Sequence, residues 1–268
     1  MDGLTNVSET LYVPMAGRIY SSKYSPHFFY DEVALHIYEK YPEYFEKSLQ
    51  QEEYTHLASA MRSKNMDRYI QDFLKRNPKG SIVNLGCGLE SLYQRNNNGL
   101  AYWFELDFEN VLNLRKKFFP EEQNDWFLPY SIFDTTWMEK VREHSTEPIL
   151  LIAAGLFHYF QEEKVIEFIN SLEAVTPVEL VFDAVSSFGI KQSRKYMKKM
   201  GREDALMYFS VDDPKDLISK CKVPIQLIKN EKYYSHANFK SEIKNSTKVK
   251  MKISDIFNMV KMVHLKIG

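Results

Sequence analysis

The stretch Ile82-Val83-Asn84-Leu85-Gly86-Cys87-Gly88-Leu89-Glu90, IVNLGCGLE, decides how this chain folds. A short apolar run ends in two glycines around a cysteine, with an acid two residues further on. A buried strand feeding a glycine turn at its carboxyl end is where open α/β sheets bind ligands. Glycine has no Cβ and tolerates positive φ, so backbone can approach a ligand there. A dinucleotide loop wants a third small residue and a strong helix start. Here Ser91 and LYQRNNNGL follow, a poor helix opening. Cys87 has no second Cys or His at ligand spacing, since Cys221 is remote, so it reads as a small apolar-like side chain within the turn.

Outward from this stretch the same rhythm repeats. Short apolar runs lie at 101–106 (AYWFEL), 149–154 (ILLIAA) and 179–185 (ELVFDAV), with weaker ones at 126–130, 225–228 and 259–265. Between them ENVLNLRKKFF and QEEKVIEFINSL read as helices, the second placing Val165, Phe168, Ile169 and Leu172 on one face. Strands apolar throughout that alternate with helices imply a mostly parallel sheet covered on both faces. About seven strands are expected. The final NMVKMVHLKIG alternates apolar and polar residues, as an antiparallel strand at the sheet edge would. Before Pro78, DEVALHIYEK and EYTHLASAMRSKNMDRYIQDFLKR carry apolar residues at helical spacing, and Asn77-Pro78-Lys79-Gly80 is a stop signal. Residues 1–79 are therefore expected as a helical extension, with Tyr20, Tyr24, Phe28, Phe29 and Tyr30 as lid or core, and 80–268 as the sheet domain. The lysine-rich FKSEIKNSTKVKMK reads as solvated surface, because aromatics are not interleaved with it.

Composition narrows the class. At 268 residues, 44% hydrophobic and 26% charged, the chain is an ordinary globular one. A net charge of -1 gives no global attraction to nucleic acid or to an anionic membrane. No apolar run approaches the ~20 residues that span a bilayer. Two cysteines and a polar start without a signal pattern fit a cytoplasmic protein.

The second run ends YWFELDFEN, placing Asp107 about twenty residues beyond the glycine loop, the usual reach for a carboxylate on ribose hydroxyls. Capping of the following helix is the other use of Asp107. Glu105 is a secondary candidate. Together GSIVNLGCGLESLYQR, YWFELDFENVLNLRKKFFPE, PILLIAAGLFHYFQEEKVIEFI and YVPMAGRIYSSKYSPHFFYDEVA resemble the leucine carboxyl methyltransferase and polyketide O-methyltransferase family. These are class I S-adenosylmethionine-dependent enzymes with a Rossmann-like sheet. The resemblance implies S-adenosyl-L-methionine as cofactor, with residues 80–268 as its binding domain. It implies Gly86, Cys87 and Gly88 as the floor under the methionine part, Asp107 on the ribose, and Arg62 on the cofactor carboxylate. Lys23 would be a second partner of that carboxylate. Two departures stand out. Ser131-Ile132 replaces the family's acidic and aliphatic pair at adenine, with Asp134 nearby, and Ala153-Ala154-Gly155 replaces an AEG run.

A methyl acceptor that is a carboxylate needs no base, whereas a hydroxyl needs its proton removed. His158, beside Tyr159 and past the fourth strand, is the candidate base; packing between aromatics is its other reading. Asp183, with Ser186 and Ser187 after it, could orient His158 or a substrate proton donor, or form a turn. No histidine spacing suggests a metal. The expected function is O-methylation of a small molecule. An NAD(P)-dependent oxidoreductase and a non-catalytic cofactor-binding module are the alternatives.

Overall fold

In the computed structural model, residues 11–199 and 207–268 are described. Seven strands form one sheet in the order β3-β2-β1-β4-β5-β7-β6. They are β1 (Ser81–Leu85), β2 (Tyr102–Leu106), β3 (Asp125–Leu128), β4 (Ile149–Ala153), β5 (Val178–Val185), β6 (Ile225–Lys232) and β7 (Val260–Ile267). All pairings from β3 through β5 are parallel, and β7 is antiparallel to both its neighbours. The order reverses between β1 and β4. The IVNL strand is therefore central, and its glycine turn opens at the switch point where such sheets bind ligands.

One expectation is corrected. The C-terminal strand is antiparallel but lies one place in from the edge, and β6 takes the edge. The polar residues that made β7 look solvated are buried and partnered: His264 meets Glu179 at 2.8 Å, and Lys261 donates to the Asp212 carbonyl. Strand β6 shows the half-exposed alternation that an edge produces.

Alternate side chains of each strand serve opposite faces. On one face Val83, Leu85, Leu151 and Phe182 pack against Trp137 of α6 (Thr136–His144) and Val165, Phe168 and Ile169 of α7 (Glu162–Ser171). On the other, Ile82, Trp103, Leu150, Ile152 and Val181 meet α3 (Glu53–Arg76), through Leu57, Met61, Ile70 and Phe73. Helices α1 (Tyr12–Tyr24) and α2 (Glu32–Lys40) form a third cluster with Cys87, Leu89 and the inner face of α5 (Glu109–Phe118). After Ser91 comes only a five-residue helix, α4 (Leu92–Asn96). The remaining helices are α8 (Ser187–Lys199), α9 (Pro214–Lys220) and α10 (Asn245–Ile256). No helix among the described residues is long and apolar enough to cross a membrane.

A buried charge cluster fixes the first helices to the glycine loop. Arg18 of α1 donates to Asp31 at 3.0 Å and to Glu90 at 2.9 Å. Arg95 of α4 donates to Asp31, Glu90 and Asp67 at 2.8–3.0 Å. Ser63 of α3 adds a hydroxyl to Glu90 at 2.8 Å. Burial alone would raise the Glu90 pKa, but the two arginines and these hydrogen bonds outweigh it and bring it to about 2. A folded value below the unfolded one stabilises the fold above the unfolded pKa, and the gain is lost as pH falls from about 4.5 toward 2. Glu90→Gln should therefore cost ~3 kcal/mol at neutral pH. Urea unfolding at pH 7 and at pH 3 checks this, the gap between variant and parent narrowing at the lower pH.

Candidate active site

The loop after β1 is clamped from both sides. Its N–H groups are held from β2: Cys87 donates to the Leu106 carbonyl at 3.0 Å and Gly88 to the Asp107 carboxylate at 2.9 Å. Its carbonyls are held by arginines, Arg18 on Leu89 and Arg115 of α5 on Gly88 and Glu90. Gly86 and Gly88 take φ of +62° and +49°, which carries the chain back over the strand end. A Cβ at Gly86 would stand 2.7 Å from Leu156 Cδ1, so the turn presses on the loop after β4 as well.

Asp107 is half-buried at the end of β2. Its two oxygens accept from the backbone N–H groups of Gly88 and, at 2.8 Å, of Phe108. The helix-cap use of Asp107 is set aside, because Phe108 occupies the cap position of α5 without a side-chain bond. Burial raises the Asp107 pKa, with both backbone bonds acting against it. A carboxylate has about four acceptor positions, so room remains for two hydroxyls.

Glu105, the secondary cofactor candidate, points into the protein. It is fully buried, meets Arg115 at 3.1 Å and accepts from Asn84 at 2.7 Å. Its work is to hold Arg115 under the loop. Cys87 is buried as well, and burial pushes its thiol well above the usual range, as suits a packing residue.

Across the opening, Arg62 of α3 meets Asp183 of β5. Arg62 Nε and Nη2 both lie 3.0 Å from Asp183 Oδ2, while Asp183 Oδ1 accepts from the Gly155 N–H at 2.6 Å. Burial would lower the Arg62 pKa, but Asp183, with Tyr233 and Tyr159 adding to it, outweighs burial and raises it, so the guanidinium stays charged. Gly155 has φ of +68°, and a Cβ there would fall 2.7 Å from Arg62 Nη1. Asp183 was expected to orient His158 or a substrate proton donor; its oxygens here accept from Arg62 and Gly155. Ala154, replacing the family's Glu, lies one residue past Ala153, whose partner on β5 is Phe182, so it stands level with Asp183.

His158 lies on a short 3₁₀ turn, Phe157–Tyr159, and is 3% exposed. Its carbonyl accepts from Tyr208 N at 2.7 Å, and its Nδ1 is buried without a hydrogen-bond partner among the described residues. Burial lowers its pKa to about 4, Arg62 adds to this and Asp183 opposes it. The exposed ring of Tyr159 lies 4.4 Å from the His158 ring. At the end of β3, Ile132 is buried and anchored by Trp137, while the Ser131 hydroxyl accepts from Phe133 N. Asp134 accepts from Thr136 N in the turn into α6. Phe133 packs edge-on to Phe160 at 5.0 Å. Lys23 is not brought to this group. Its amine sits 4.7 Å from the Tyr38 ring in a cavity of about 350 Å³ with Tyr20, Tyr24, Glu46 and Leu49. Ser186 is tied to Met259 and Gly189, and Ser187 donates its N–H to Asp212.

The model of the leucine carboxyl methyltransferase family matches residues 12–173. The chain belongs to that family. The matched span contains Arg62, the glycine loop, Asp107 and His158, and ends before Asp183. Among curated relatives of this methyltransferase family, the tetracenomycin polyketide synthesis O-methyltransferase TcmP of Streptomyces glaucescens is 25% identical over 59% of this chain and 58% of its own. The chain spans less than three fifths of the length of the curated relatives it matches. A DUF574 family protein of Streptomyces avermitilis shares the fold with a TM-score of 0.60 at 10% identity, over 94% of this chain and 96% of that one. Magnesium protoporphyrin IX methyltransferase of Synechocystis PCC 6803, solved with bound SAH, gives 0.51 at 10% identity, over 94% and 98%.

Replacing Gly86 by alanine tests the loop. A Cβ in the left-handed region costs ~1–2 kcal/mol, and this one also displaces Leu156. Gly86→Ala should lose about that much in urea unfolding.

Proposed function

We propose that this chain is an S-adenosylmethionine-dependent O-methyltransferase acting on a small-molecule carboxylate. The observation that carries the cofactor reading is the pairing of a left-handed glycine turn and Asp107 on one side with the Arg62 guanidinium on the other. The residues fit the group. Gly86 and Gly88 hold the left-handed backbone of the turn, Asp107 keeps acceptor positions for two hydroxyls, and Arg62 has its Nη1 atom outside the pair with Asp183. Gly86, Cys87 and Gly88 would form the floor, Asp107 would take the ribose, and Arg62 would meet the carboxylate through Nη1. Ser131, Ile132 and Ala154 would border the adenine and methionine parts. When bound, S-adenosylmethionine supplies an electrophilic methyl group on sulfur.

The chain's own contribution is alignment and exclusion of water. Leu156, Tyr159, Phe133 and Phe160 would wall the acceptor, and residues 1–79 would act as extension and lid before the cofactor domain of 80–268. His158 selects between acceptors. A base whose conjugate acid has a pKa of about 4 is a poor match for removing a hydroxyl proton at neutral pH. A carboxylate acceptor needs no such removal, so His158 would shape the pocket, its neutral Nδ1 serving as a hydrogen-bonding atom. Both thiols are unpaired, which supports a reducing, cytoplasmic setting.

Calorimetry with S-adenosylmethionine and its demethylated product should show binding of both. Asp107→Ala should weaken each roughly tenfold or more, and unchanged affinity would remove the ribose assignment. Arg62→Ala should weaken both while leaving 5′-methylthioadenosine, which has no carboxylate, unaffected. The pH profile of turnover checks the acceptor. The rate should hold down to about pH 5 and fall as carboxylate and His158 protonate near 4; a fall centred near 6.5 would instead mark an ordinary histidine base.

A further inference from the structure

Helix α10 is built inside out. The side chains it buries are Thr247, Met251 and Ser254, two of them polar. Its large apolar side chains point outward: Val249 is 54% exposed, Ile253 42%, Ile256 71% and, at the C-cap, Phe257 58%. Phe188 at the start of α8 extends the face, with its ring 5.7 Å from that of Phe257. Burial of this kind gives the helix little reason to carry four large apolar residues unless something covers them.

The charges around the stripe identify what that is. At ~100° per residue the four apolar positions fill an arc of about 100°. Lys250 falls on one flank of that arc, and Lys252 and Lys248 on the other. Lys252 lies over the Phe239 ring, and Lys250 also reaches Glu52. Of the nearby acids, Glu52 is exposed and pairs with Lys250 at 2.7 Å, while Asp255 accepts from Tyr234 N and Asp212 from Ser187 N. We propose that α10 and Phe188 dock on an anionic lipid bilayer. The apolar stripe enters the acyl boundary and the flanking lysines extend their amines to the headgroups. A second copy fits badly, because a two-fold pairing of this face sets lysine flank against lysine flank.

The sequence-based expectation of no membrane contact rested on net charge and on the lack of a spanning run. A helix lying on a surface needs neither, since screened attraction acts within about 10 Å of each lysine. The location has a functional sense. Ser186 N bonds the Met259 carbonyl at 2.9 Å, so the face adjoins the end of β5 that carries Asp183. A bilayer docked there lies at the same end of the sheet as the candidate active site.

Flotation of the full chain with vesicles tests this. The protein should float with vesicles of phosphatidylcholine containing about a third phosphatidylglycerol, and stay behind with phosphatidylcholine alone. Ile256→Ser with Phe257→Ser should lower vesicle affinity at least ~tenfold without changing thermal unfolding, and Lys252→Glu should lower it as well. Failure of the parent protein to float, or flotation indifferent to the double variant, overturns the proposal. So does light scattering that shows a dimer which the double variant dissociates, since a second copy would then own the face. None of these outcomes depends on methyl transfer, so the proposal and the proposed activity stand or fall separately.

Discussion

Glu90 is the contact on which the rest is hung. Two guanidiniums, Arg18 and Arg95, face three carboxylates, Asp31, Asp67 and Glu90; Asp31 and Glu90 are each bound by both arginines, and Glu90 also accepts from Ser63 of α3. Buried ions are costly unless paired and hydrogen-bonded, and removing one partner strands the others. The group carries one more negative than positive charge, and the imbalance is not shared equally. Asp31 and Glu90 are held below the usual carboxylate range, while burial pushes Asp67 above it. Helices α1, α2, α3 and α4 all contribute, so their mutual placement is decided at one point.

That point lies directly behind the glycine turn. Arg115 and Arg18 pull the loop's carbonyls inward, leaving Asp107 and the Leu106 carbonyl to fix two of its N–H groups. A second, smaller device sits opposite, where Asp183 grips Arg62 with one oxygen and the Gly155 N–H with the other. The family's glutamate beside this glycine is Ala154 here, and the negative charge at this level of the sheet comes from the neighbouring strand. The candidate pocket is thus preorganised by backbone and by ion pairs, before any ligand arrives.

Strands β1, β2, β4 and β5 were legible because each is an apolar run buried on both faces, and α7 because Val165, Phe168 and Ile169 fall on one buried face. Asp107 was legible from spacing. The position of β7 was not, because sequence cannot distinguish a solvated lysine or histidine from Lys261 and His264, which find partners far along the chain. Glu105 and Asp107 likewise look alike in sequence, and only the inward turn toward Arg115 separates them. The network around Glu90 joins residues up to 72 positions apart, a separation at which charge pattern carries no pairing information. Lys23 resembled a family position, yet its helix end is directed at Tyr38 and not at the loop.

Arg62 and Ser63 are consecutive residues of α3. One meets β5 through Asp183, and the other meets the β1 loop through Glu90. The helix therefore works as a caliper whose two tips touch the opposite jaws of the opening. The two contacts start from neighbouring residues of one helix, so the placement of α3 fixes both sides of the opening together.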